Sequence, residues 1–308
     1  MNEIAAPLTA GSEPLTLRAQ DREPLQGWAA ALSLVFSLLI LAAVAHTMRH
    51  IDAARVLAMV PRSPLFWLVF AAFYLAQPAS EWVIYRRLWR VPAGCFAALL
   101  RKLVCNELLL GYLGEAYLYG WARRKVAMTA APFGTIKDVA ILSAMAGNGV
   151  TLALLVLVWP FVGVTQLGLE SRPVVLSLSV VLATSIIAMA LRKRIFTLDR
   201  PKLGFVLRIH LLRILVVIGL TALLWHLVLP AVPLVWWLLL ATLRMLISRL
   251  PFVPNKDVVF AGLAVFMLGR EAEIAALMTM MASIILLSHA VVGTGLVLGD
   301  LLRRGADE

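Results

Sequence analysis

The residues of this chain best suited to chemistry are charges standing in apolar surroundings. Glu107 and Glu115 lie eight residues apart in NELLLGYLGEAYLYGWARRK (Asn106–Lys125), which opens on Asn106 and carries Tyr112, Tyr117 and Tyr119. Arg244 and Arg249 stand in LVWWLLLATLRMLISRL (Leu234–Leu250), and Asn255, Lys256 and Asp257 follow in PFVPNKD (Pro251–Asp257). A guanidinium in such a setting can hold a phosphate oxygen pair in bidentate fashion. An acid there can balance that charge, contact a cationic headgroup or take a coupling proton. Arg244 is ten residues into its segment, about 15 Å deep at 1.5 Å per helical residue. A structural role competes with these: the acids can pair with arginines of the other segment simply to hold the chain together. Asn255, Lys256 and Asp257 can equally form a turn.

Other chemistry is missing from the sequence. No G-x-x-x-x-G-K-[ST], H-E-x-x-H, G-x-S-x-G or C-x-x-C occurs, so no built-in ATPase, zinc hydrolase, serine hydrolase or redox pair is expected. Cys95 and Cys105 read as small apolar residues. No metal or cofactor is expected, since His210, His226 and His289 are isolated. His210 reads as interfacial, and His289 as a candidate for proton coupling. Lys137-Asp138 reads as a helix cap, and Arg208 and Arg213 as charges bracketing the start of a span and snorkelling from it. Trp159, Trp225, Trp236 and Trp237 read as an aromatic belt.

The elements that must position these charges follow from composition. The 308 residues are 62% hydrophobic and 15% charged, against about 45–50% and about 25% in soluble domains. The apolar residues come in long, non-alternating blocks. That predicts an all-α polytopic membrane protein rather than a transmembrane barrel. The net charge of +11 sits between the blocks, as a topogenic signal and an attraction for anionic lipid rather than for nucleic acid.

The expected order begins with a polar cytoplasmic tail, 1–26. Full spans follow over about Gly27–Thr47, Pro64–Arg87, Asp138–Phe161, Pro173–Leu191, Ile209–Leu229 and Ala272–Leu298. Ile51–Val60 reads as interfacial, and 300–308 as a second cytoplasmic tail. Two blocks break the pattern: Ala93–Trp121, with Gly111 and Gly114 as helix breakers, and Leu234–Gly269, whose second arm has only 12 residues. Twelve helical residues reach about 18 Å, short of ~30 Å of hydrocarbon. Five Lys/Arg fall in 86–102, three in 123–125 and six in Arg192–Arg208, against one in 162–172 and none in 230–233. Placing the rich loops inside makes both broken blocks re-entrant hairpins, entering from opposite sides. Residues 27–161 and 162–299 then form an inverted-topology repeat of about six spans and two hairpins, a recurrent transporter architecture.

Three stretches resemble the lysylphosphatidylglycerol synthetase transmembrane-region family of flippase-like integral membrane proteins. EWVIYRRLWR (Glu81–Arg90) is similar to the aromatic-basic end of that family's second span. NELLLGYLGEAYLYGWARRK is similar to its first re-entrant motif, and LPFVPNKDVVFAGLAVFMLG (Leu250–Gly269) to its second. Asn255-Lys256 stand where that family usually has two glycines. The resemblance runs from about residue 27 to 298, without a soluble synthase domain. It implies movement of a lipid or lipid-linked molecule between leaflets.

The expectation is a lipid translocator of the bacterial inner membrane with both termini cytoplasmic. Its anionic headgroup would be held by Arg244 and Arg249, with Glu107 and Glu115 as counter-charges. Asn106, Tyr112, Tyr117, Tyr119, Asn255, Lys256 and Asp257 would complete the path. Two alternatives are an intramembrane transferase with Glu115 as base, and a non-catalytic partner of a lipid- or glycan-synthesising enzyme. Homo-oligomerisation or a synthase partner is compatible with each.

Overall fold

The computed structural model describes residues 35, 60–89, 91–92, 94–109, 113–126, 132–158, 179–180, 183, 195–249, 256–269 and 271–306. The expected tail 1–26, the spans Gly27–Thr47 and Pro173–Leu191, nearly all of the interfacial segment Ile51–Val60, and Gly111, Tyr112, Trp159 and Asn255 lie outside the described residues, apart from single positions. Among the described residues there are eight helices and no strand. They are α1 (Pro64–Leu88), α2 (Cys95–Leu108), α3 (Leu113–Lys125), α4 (Phe133–Val158), α5 (Arg200–Val228), α6 (Leu234–Arg249), α7 (Lys256–Leu268) and α8 (Glu271–Ala306).

Local chemistry sets several of these limits. Pro64 begins α1 and Pro201 falls in the first turn of α5, where a missing N–H costs nothing. Pro78 lies inside α1. Gly269 ends the α7 segment at φ +65°, a left-handed position that suits glycine. Helix α2 stops at Leu108 and α3 resumes at Leu113, so the break falls just before Gly114 rather than at it. Gly114 is instead the second residue of α3, and a Cβ there would lie 2.2 Å from the Lys102 carbonyl oxygen. Its bare backbone is what lets α3 lie against α2.

Among the described residues the order is long helix, two short helices, long helix, and then the same order again. The lengths are 25, 14, 13 and 26 residues, then 29, 16, 13 and 36. At 1.5 Å per residue the short helices reach about 20–24 Å. Packing respects the same division. Helix α1 packs on α2 as α5 does on α6; α2 on α3 as α6 on α7; α3 on α4 as α7 on α8; and α2 on α8 as α6 on α4. The equivalent helices α1 and α5 pack on each other. The α4–α5 packing has no equally close counterpart between α1 and α8, which meet through the side chains of Tyr74 and His289.

Among the described residues two apolar clusters form the core. One joins Phe66–Tyr74 of α1 to Ala222–Trp225 of α5, with α6, α7 and the first half of α8. The other joins Ile84 and Tyr85 of α1, and Trp89 just after it, to Val206 of α5, with α2, α3 and the start of α4. Helices α1 and α5 are therefore antiparallel. Exposed Arg86, Arg87, Arg123, Arg124, Lys125, Arg200, Lys202 and Arg208 gather at the second end. There Asp138, fully buried, accepts the Thr197 and Leu198 N–H groups at 2.7 and 2.8 Å and the Thr197 hydroxyl at 2.8 Å. Lys137 donates to the Ile195 carbonyl. The expected cap of α4 is thus a clasp that ties the start of α4 to the segment leading into α5.

Among the described residues two helices are long and apolar enough to cross a membrane: α5, and Ala276–Asp300 within α8. Only 22% and 33% of their apolar windows are buried, so most of each window faces outward. Leu68, Leu215, Val235 and Val291 are all more than 60% exposed, an apolar surface that water disfavours.

Three expectations are corrected. Trp225 and Trp237 are buried core residues in edge-to-face contact at 5.8 Å, with Trp225 stacked on Phe260 at 5.6 Å; of the proposed belt, Trp236 is exposed. Arg101 and Lys102, counted as loop charges, are buried in α2 at 4% exposure each. His210 is fully buried rather than interfacial.

Candidate functional site

Helix α5 carries the clearest departure from the sequence reading. It begins at Arg200, nine residues before the expected span. Arg213, expected at a span start, is 13 residues from the start of the helix and 15 from its end. Its Nη2 donates to Ser143 Oγ of α4 at 3.1 Å. Arg213 and Arg244 line one cavity of about 530 Å³ between α1, α5 and α6. Phe73 and Gln77 of α1, Thr221 of α5 and Ser248 of α6 share the lining. The Thr221 and Ser248 hydroxyls donate to the Val217 and Met245 carbonyls of their own helices. Among the described residues lining the cavity the charged ones are the two arginines, and the remainder is mainly aliphatic. The signal for Arg213 was its place between RIHLL and ILVV in an otherwise apolar run; a span boundary set nine residues too late hid it.

A second polar centre lies between α1, α2 and α3. Lys102 Nζ donates to both Glu81 oxygens at 2.8 Å and stands 3.2 Å from Glu115 Oε1. Asn106 Nδ2 donates to Glu115 Oε2 at 3.0 Å, and Asn106 Oδ1 accepts the Gly114 N–H at 2.7 Å. The partner of the buried acid is therefore a lysine on the same hairpin. Neither Glu81 nor Lys102 was singled out from sequence, because EWVIYRRLWR reads as a helix end and Lys102 as part of a basic loop. Gln77 joins the two centres: it lines the cavity and donates to Glu81 Oε1 at 3.4 Å.

The other expected residues are dispersed. Glu107 is exposed in the last turn of α2, within electrostatic reach of Tyr74. Tyr117 is buried under Arg101, whose guanidinium carbon is 5.5 Å from the ring centre. Arg101 also binds Asp300 and the Leu296 carbonyl of α8. Tyr119 packs edge-on to Phe133 and lies below Arg123. Arg249 closes α6, and Lys256 and Asp257 open α7; the side chains of these three lie outside the described residues. Of the expected set, the structure puts Arg244 in the cavity and joins Asn106 to Glu115; it does not bring Glu107, Tyr117 or Tyr119 to either. Among the described residues no group of His, Cys, Asp and Glu is arranged to hold a metal.

Comparison of the chain with protein-family models, curated proteins and solved structures finds no match.

Proposed function

We propose that this chain is a multi-pass membrane protein of the bacterial inner membrane. It would move an anionic lipid headgroup between leaflets through the cavity between α1, α5 and α6. The observation that carries the reading is the pair Arg213 and Arg244 on that cavity, with Arg213 at the middle of a helix long enough to span. A guanidinium at mid-membrane is costly and is found facing a bundle interior or water-filled path. Two of them on a cavity of about 530 Å³ suit a phosphate-bearing headgroup, whose acyl chains would stay in the bilayer.

The repeated order of helices supports an inverted repeat. A pseudo-two-fold axis in the membrane plane requires equivalent spans to be antiparallel, and α1 and α5 are. The pairing of helix contacts between the halves is what such an axis would produce. The short pairs α2–α3 and α6–α7 have the lengths of re-entrant hairpins. The concentration of exposed Lys and Arg at one end supports a cytoplasmic assignment for that end. The resemblance to the flippase-like family points to the same class of activity.

Leaflet exchange in proteoliposomes tests the function. A fluorescent anionic phospholipid on both leaflets, quenched from outside, should lose its protected fraction quickly with the protein present. Protection equal to that of empty liposomes across several lipid classes would contradict it.

A further inference from the structure

The headgroup cavity stops at one level on both of its long helices. Among the described residues its lining ends at Gln77 on α1 and at Arg213 on α5. The next turns toward the basic end are closed: Glu81, Ile84 and Tyr85 of α1 and His210 and Val206 of α5 are all buried. Leu99 of α2 belongs to the same apolar cluster as Ile84, Tyr85 and Val206. Lys102, three residues further on, bonds to Glu81 and lies within electrostatic reach of His210.

The layer on the other side of the cavity is of a different kind. There Phe70 of α1, Trp225 of α5 and Leu240 of α6 are buried in the first apolar cluster. The layer at the basic end is held by ions instead. Lys102 Nζ donates to both Glu81 oxygens at 2.8 Å and stands 3.2 Å from Glu115 Oε1, so one ammonium ties the α2–α3 hairpin to α1. The Tyr85 hydroxyl in this layer has no hydrogen-bond partner in the protein. No hydrogen bond of ordinary geometry reaches either His210 ring nitrogen, although the Val139 backbone stands nearby. Buried polar groups left in this way cost free energy that contact with water returns. The closed layer therefore contains groups that gain when it parts and wets.

We propose that Lys102, held between Glu81 and Glu115, is the gate that closes the headgroup cavity from the basic, cytoplasmic end. Glu81 stands one helical turn from Gln77, and Gln77 lines the cavity and donates to Glu81 Oε1 at 3.4 Å. Gate and cavity share that wall. Parting Lys102 from Glu81 frees the hairpin from α1. The Asn106 bonds to Glu115 and to the Gly114 N–H keep α2 and α3 together as the hairpin moves. Water then reaches Tyr85 and His210, and the path from the basic end runs to Arg213. An ion pair suits a gate for an anionic headgroup, because a phosphate oxygen can take a carboxylate's place on the ammonium. An apolar layer offers no such exchange. The headgroup's part in opening rests on the translocation reading, and the side of the membrane rests on the orientation proposed with it; the closure itself rests on neither.

Thiol labelling of the full chain in sealed inverted membrane vesicles tests the gate. In a Cys95→Ala/Cys105→Ala background, Val217→Cys places one thiol on the cavity wall. An impermeant anionic thiosulfonate added from the cytoplasmic side should modify it slowly. Lys102→Met keeps the length of the side chain, removes its charge and should speed the reaction several-fold. Glu81→Gln should speed it less, and carries the test where Lys102→Met does not fold. The exchange Glu81→Lys/Lys102→Glu restores an ion pair across the same contact and should slow the reaction again. Fast modification in the parent, a rate unchanged by both single variants, or a swapped variant as fast as Lys102→Met would overturn the proposal. Lipid exchange on the same samples separates the two readings. A gated thiol without exchange of any lipid overturns translocation and keeps the gate; exchange with an ungated thiol does the reverse.

Discussion

Arg213 on α5 and Arg244 on α6 line one cavity, although they lie 31 positions apart in the chain. The cavity draws one arginine from the middle of a long helix and one from ten residues into a short one. Replacing either by alanine should leave folding intact and slow anionic lipid exchange. A charge-assisted hydrogen bond contributes about 1.5–3 kcal/mol, which is roughly 10- to 100-fold in rate. Arg244→Lys should fall between wild type and Arg244→Ala, because an ammonium lacks the bidentate fork. Equal loss in Lys and Ala would mean that the planar geometry is essential.

Gly114 should tolerate no side chain. A Cβ at this position would stand 2.2 Å from the Lys102 backbone oxygen, so Gly114→Ala must push α3 away from α2. Overpacking of this kind costs about 1–3 kcal/mol. Thermal unfolding in detergent should show a lower Tm, whereas Gly120→Ala, where a Cβ meets nothing within 4 Å, should leave it nearly unchanged.

Trp225 and Trp236 should behave differently despite their similar sequence settings. Trp225 is 1% exposed and contacts Trp237 and Phe260, and Trp236 is 42% exposed. Trp225→Ala should destabilise the fold by about 3–5 kcal/mol. Trp236→Ala should shift Tm little.

Much of the architecture was legible because helix length and apolar blocks are local properties. Pro64, the break before Gly114, and the short arms Leu234–Arg249 and Lys256–Leu268 all follow from composition and from Pro, Gly and charge placement. The site was less legible because it depends on which faces meet. Arg244 was accessible to reasoning, since a lone arginine in an apolar arm is conspicuous. Lys102 was not: next to Arg101 it looks like a topogenic pair, yet the two side chains leave α2 toward different helices, one to Glu81 and Glu115, the other to Asp300. Glu81 was masked by the arginines that follow it. The Tyr74–His289 pair, 3.0 Å apart and 215 residues apart in sequence, has no local signature at all.

That pair gives a further prediction. Tyr74 and His289 are both buried, so Tyr74→Phe leaves the His289 ring nitrogen without its partner. The cost should be about 1–3 kcal/mol, read as a lower Tm, while the ratio of anionic to zwitterionic lipid exchange stays as in wild type.

The proposed orientation rests on the basic end. Single cysteines at Arg124 and Lys202 should label from the same side of a sealed membrane, and a cysteine at Val235 from the other. In inverted inner-membrane vesicles the first two should react with an impermeant maleimide and the third should not. Labelling of all three from one side would contradict the antiparallel arrangement of α1 and α5 as membrane spans.

The central claim is that an anionic headgroup passes the Arg213–Arg244 cavity. The most direct measurement is the leaflet-exchange rate of matched anionic and zwitterionic probes, in wild type and in the Arg213→Ala/Arg244→Ala double variant at equal reconstitution. The account predicts fast anionic exchange in wild type that falls to the level of empty liposomes in the double variant. Anionic exchange that is unchanged in the double variant would contradict it.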